Sequence, residues 1–142
     1  MRKTYLFAVL PLLAVATLSA LTTGPAAAAN GCGNQLADWG PAANTAHYTG
    51  SNQAYGTAAI DLTRASDITA TVTQSGFVTA VYYPIATVSV SGTTLTASQS
   101  GDQLTMTATD CNSAGKVVAA NAKQQSQVGG ATQILWQGKV TR

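Results

Sequence analysis

From Thr57 onward the chain alternates small or apolar residues with threonine and serine, and this period of two constrains the fold more than any other feature. In "DITATVTQ", Ile68, Ala70 and Val72 share one face and Thr69, Thr71 and Thr73 the other. The same division separates Ala58, Ile60 and Leu62 in the preceding segment, Ala86, Val88 and Val90 in "IATVSV", Leu95 and Ala97 in "TTLTA", and Leu104, Met106 and Ala108 in "LTMTATD". Val118, Ala120 and Ala122 follow, then Ile134, Trp136 and Val140. Alternation of this kind describes half-buried strands, because successive side chains leave a strand on opposite faces. Helical spacing nowhere extends beyond about a turn. The pattern predicts an all-β domain, a small antiparallel meander of about 7–8 strands, the eighth around "TAHYTG". Such a sheet must bury one face, so an up-and-down barrel and a two-sheet sandwich both satisfy it.

The turns test the register, since a one-residue slip carries every side chain to the wrong face. With Ser91-Gly92 as a two-residue turn, Val88 faces Leu95 and Ala86 faces Ala97. With Gln99 to Asp102 as the next loop, Ala97 faces Leu104 and Leu95 faces Met106. Both keep the apolar sets together, giving a three-stranded meander over residues 85–110. Ser75-Gly76 as a turn sets Ile68 against Tyr83 and Thr69 against Tyr82, which sends Tyr83 to the core and Tyr82 to the outer face. Pro84, with no N–H for a ladder, ends that strand. Residues 30–56 read mostly as loop, and Gln124 to Thr132 as a polar connection. "TVTQSG" and "VSGTTLTA" resemble the hairpins of small secreted meander barrels of the lipocalin or avidin type; the resemblance implies a barrel and carries no ligand motif.

The first residues set the compartment. Arg2 and Lys3 precede an apolar run from Tyr5 to Leu21, and Ala27-Ala28-Ala29 supplies a small-residue cleavage site. This is the order of a secretory signal peptide, residues 1–29, cut before Asn30. The remaining 30–142 form a single β domain that is secreted, with no membrane association after cleavage. Its cations are Arg64, Lys116, Lys123, Lys139 and Arg142, and its acids Asp38, Asp61, Asp67, Asp102 and Asp110, with no glutamate. This even balance, with no basic cluster in the sequence, argues against nucleic acid as a partner. Cys32 and Cys111 are expected to pair as a disulfide in an oxidising compartment, tying down the N-terminal segment. Closing so long a loop stabilises by roughly 4–5 kcal/mol on the chain-entropy account.

The supply of catalytic groups is thin. His47 is the sole histidine, and no nucleophile-elbow pattern accompanies it. Of the five aspartates, Asp61, Asp67, Asp102 and Asp110 fall at strand ends, turns or polar faces, where aspartate commonly caps backbone groups. No metal site or cofactor is expected, because two cysteines and one histidine at unrelated spacings do not make a ligand set. The expected function is therefore non-catalytic binding of an extracellular ligand, a carbohydrate or a protein. A carbohydrate or cell-wall surface would be met by exposed aromatics, with Trp39, Tyr48, Tyr55 and Tyr82 as the candidate residues. Trp39 could instead plug an open end of the domain, and Trp136 reads as core. The alternative is an extracellular structural or protein-interaction module, a coat or matrix component assembling by strand pairing or a protease inhibitor. The threonine rows of the outer face also resemble those of ice-binding β-proteins.

Overall fold

A computed structural model describes residues 32–40, 46–63 and 67–142. The expected signal segment 1–29, its cleavage site and Arg64 lie outside the described residues. The described chain begins with a one-turn helix, α1 (Leu36–Trp39), and continues as strands β1 (Ala46–Asn52), β2 (Gly56–Thr63), β3 (Asp67–Gln74) and β4 (Phe77–Tyr83). A 3-10 turn over Ile85–Thr87 leads to β5 (Val88–Ser91), β6 (Thr94–Gln99), β7 (Asp102–Cys111), β8 (Val117–Val128) and β9 (Ala131–Thr141). All nine join in one antiparallel sheet of order β4-β3-β2-β1-β9-β8-β7-β6-β5, curled into a half-barrel. The fold is thus two meanders joined where β1 meets β9, with β4 and β5 at the two edges.

Four tight turns set the registers. Ser75-Gly76, Ser100-Gly101 and Gly129-Gly130 each carry positive φ at both positions, the type I′ geometry whose twist suits a two-residue hairpin. The β3–β4 register follows as expected, with Ile68 opposite Tyr83 and Thr69 opposite Tyr82. The β6–β7 register also agrees, Leu95 meeting Met106 and Ala97 meeting Leu104, although Gln99 and Asp102 pair and only Ser100-Gly101 turns.

Other expectations are corrected. The β5–β6 turn is Gly92-Thr93, so Val88 rather than Ala86 meets Ala97, and Val90 meets Leu95. Only Gly92 there has positive φ, and a type II′ turn takes glycine at its first central position. The shift is by an even step, so the apolar face survives. Ala86 leaves the sheet in the 3-10 turn. Residues 124–128 belong to β8, which shortens the polar connection to Gly129-Gly130. The strand anticipated around "TAHYTG" is present as β1, and the strands among the described residues number nine rather than seven or eight. Val117 rather than Val118 is buried, across from irregular pairing near the end of β7. A second irregularity, between Gln124 and Gln125, pairs Trp136 with Gln124 and Ile134 with Gln125. Trp136 is therefore core, while Ile134 is exposed.

The inner face carries the core: Ile60, Leu62, Ile68, Leu95, Leu104, Met106, Trp136 and Val140 are all buried. One end is closed by the N-terminal segment. Trp39 is fully buried there and donates its indole N–H to the Gly33 carbonyl (3.0 Å). The Tyr48 hydroxyl lies 2.7 Å from the Trp39 carbonyl and 2.9 Å from that of Val117, tying plug to sheet. The Cys32–Cys111 disulfide, with Cα atoms 6.4 Å apart, anchors the same segment to the end of β7.

The junction of the meanders is built differently from the other strand pairs. β1 and β9 share one registered pair, Thr49 with Thr141. Side chains complete the join, since Asn52 Nδ2 donates to the Gln137 carbonyl (2.8 Å) and Trp136 Nε1 to the Gly56 carbonyl (3.1 Å). Gly50 and Gly138 make room for the Trp136 ring, as a Cβ on either would stand 2.8 Å from Trp136 Cη2.

Candidate functional edge

The four aromatics anticipated as a binding surface do not come together. Trp39 and Tyr48 are both interior, at 0% exposure, so the expectation that they stand on an exposed loop is corrected. Their surroundings are structural, and burial pushes the Tyr48 hydroxyl up to about 12, against the opposing pull of Arg142. Tyr55 is half-buried in the β1–β2 turn and packs against the core. Tyr82 alone is exposed, at 51%, and a hydrogen bond with Asp67 is the main influence holding its pKa above the usual tyrosine value. Tyr83 faces inward, its pKa raised by burial and then by the charge of Asp102, and its hydroxyl has no protein partner.

What the fold exposes instead is strand β4. Phe77 is 80% exposed and Val78 65%, and Thr79 and Ala80 are exposed beside them. Local sequence makes this segment a strand: β-branched and aromatic residues follow a type I′ turn. Topology then places it last in the sheet, with β3 on one side and no ladder partner on the other. Because Gln74 and Phe77 close a two-residue hairpin, the N–H and C=O groups of odd-numbered residues 77–83 turn toward β3. Those of Val78, Ala80 and Tyr82 turn toward the free edge.

Natural sheets usually blunt such an edge with charge, proline, a bulge or brevity. β5 shows this, being four residues long and preceded by Pro84 and the 3-10 turn. β4 has seven residues, no charged side chain, no proline and an unbroken register with β3. Phe77 and Val78 were not singled out by the sequence pattern, because strand alternation is the same whether a strand is central or terminal.

His47 pairs through Nδ1 with the carboxylate of Asp61 opposite it on exposed strand positions. Among the described residues no three His, Cys, Asp or Glu side chains gather as a metal-ligand set, and no helix is long and apolar enough to cross a membrane. No protein-family model, curated protein or solved structure matches this chain.

Proposed function

We propose that the protein is a non-catalytic extracellular structural and interaction module that associates with a second copy of itself along β4. The observation that carries this reading is the unblunted apolar edge, with Phe77 and Val78 exposed beside unpaired backbone groups. Self-pairing suits it because an antiparallel two-fold contact brings identical surfaces together, and an uncharged strand meets itself without like-charge repulsion. A two-fold centred on Thr79 sets Val78 against the partner's Ala80 and Phe77 against the partner's Val81, keeping both faces in register. Carbohydrate recognition by stacked aromatics fits less well, since Tyr82 is the one exposed ring among the four candidates. The Cys32–Cys111 disulfide suits an oxidising extracellular setting.

Sedimentation velocity across the micromolar range tests the proposal. Ala80→Pro removes a donor on the free edge while leaving the β3 ladder its hydrogen bonds, and Val78→Lys places a charge at the contact. Dimeric wild type with both variants monomeric and folded is the expected result. A wild type that stays monomeric at high micromolar concentration overturns it.

A further inference from the structure

The outer face of the sheet carries two grooves that meet at Lys139. One, of about 520 Å³, runs over β7, β8 and β9 and is lined by Thr105, Asn121, Lys123, Gln137 and Lys139, with Asn52 at its rim. The other, of about 620 Å³, continues over β1, β2 and β3 between Thr49, Thr57, Thr71 and Thr73. The result is an open trough across six strands, whose threonine, asparagine and glutamine polar groups are set among threonine methyls, alanines and lysine stems.

The charge in the trough is one-sided. Lys123 pairs with Gln137 and Asn121 with Lys139, so the two lysines are diagonal neighbours on one face, at roughly 7–8 Å between backbone positions. Both ammonium groups therefore rise from neighbouring positions on the same face. Among the described residues no carboxylate forms an ion pair with either, and no aspartate lines either groove. Asn52 is fixed, its amide nitrogen donating to the Gln137 carbonyl (2.8 Å) and its amide oxygen accepting from Ala54 N–H (2.8 Å).

We infer that this trough binds an acidic saccharide, with its anionic group between the Lys123 and Lys139 ammonium groups and its hydroxyls hydrogen-bonded to Asn121, Gln137 and the threonines. An anion there gains charge-assisted hydrogen bonds, which are roughly twice as strong as neutral ones. An extended chain of rings suits a trough shared by two grooves, where threonine methyls and lysine stems meet the C–H faces of the rings and the scattered hydroxyls and amides meet their hydroxyls. The site uses no aromatic platform and does not depend on β4.

The test is a titration of isotopically labelled protein, followed by amide NMR, with trigalacturonate, neutral galactotriose and inorganic phosphate at low and physiological salt. The same titration on the Ala80→Pro variant separates this site from self-association. Expected are shifts centred on Asn121, Lys123, Gln137 and Lys139 with trigalacturonate. Binding of galactotriose, and of trigalacturonate to Lys123→Gln/Lys139→Gln, should be about tenfold weaker or more. Phosphate should compete weakly at the lysines. Equal binding of the acidic and neutral sugars, shifts elsewhere, unaltered binding by the double variant, or phosphate binding as tightly as trigalacturonate would each overturn the inference.

Discussion

Gly50→Ala tests how the two meanders are held together. Gly50 does not have positive φ, so the cost of the added methyl group comes from space alone. The new Cβ would stand 2.5 Å from the Lys139 carbonyl oxygen, 2.8 Å from Trp136 Cη2 and 2.9 Å from Val140 Cγ1. The first contact is with backbone, so β1 and β9 must part. Overpacking of this kind costs about 1–3 kcal/mol. Parting also weakens the Asn52 to Gln137 and Trp136 to Gly56 hydrogen bonds, worth about 0.5–1.5 kcal/mol each. The expected loss is therefore about 2–6 kcal/mol, a large share of the ~5–15 kcal/mol that holds a typical domain together. Urea unfolding followed by tryptophan fluorescence measures it, and hydrogen exchange at Thr49 and Thr141 reports opening of the join. Gly138→Ala is the comparison, because the three atoms nearest its Cβ all belong to the Trp136 ring, the first two at 2.8 Å and 3.1 Å, and none is backbone. Its cost should fall in a Trp136→Phe background, whereas that of Gly50→Ala should largely persist. A loss below ~0.5 kcal/mol for Gly50→Ala, the scale of an ordinary surface change, would refute the reasoning.

Trp39→Ala should destabilise by about 3–5 kcal/mol in the same assay, because it empties the plugged end, whereas an exposed Trp39 would change stability little. The tyrosines set an alkaline limit. An unfolded phenol ionises near pH 10, and burial raises the folded pKa of Tyr48 to about 12 and that of Tyr83 in the same direction. Stability from both is therefore fully present below about pH 10 and lost as pH rises through the folded values. Urea midpoints across this range should fall less steeply in Tyr83→Phe, and an unchanged slope would sink the assignment. At neutral pH Tyr83→Phe should be neutral or mildly stabilising, since the hydroxyl it removes is buried without a protein partner.

Much of the strand architecture was written locally. Alternation identified β2, β3 and β5 through β9 in outline, and the Ser75-Gly76 turn and the Gln99 to Asp102 loop fixed the β3–β4 and β6–β7 registers, because turn geometry and a two-residue period are properties of a few neighbouring residues. Those same rules separated Tyr82 from Tyr83. Local reading failed where the period broke, at the irregularities that expose Ile134 and bury Val117 in place of Val118. It also failed at Gly92-Thr93, where glycine takes the first turn position. The candidate edge was less legible still, since Phe77 and Val78 look like any other strand residues until their neighbours are known.

The sequence by itself determined the all-β class, the apolar face of most strands, and which cysteines were available to pair. Tertiary structure decided that β1 meets β9, that Trp39 and Tyr48 lie inside, that β4 ends the sheet, and that Lys123 and Lys139 become neighbours. Each of these depends on which distant segments pack together, and a strand's intrinsic pattern does not encode its place in the sheet order.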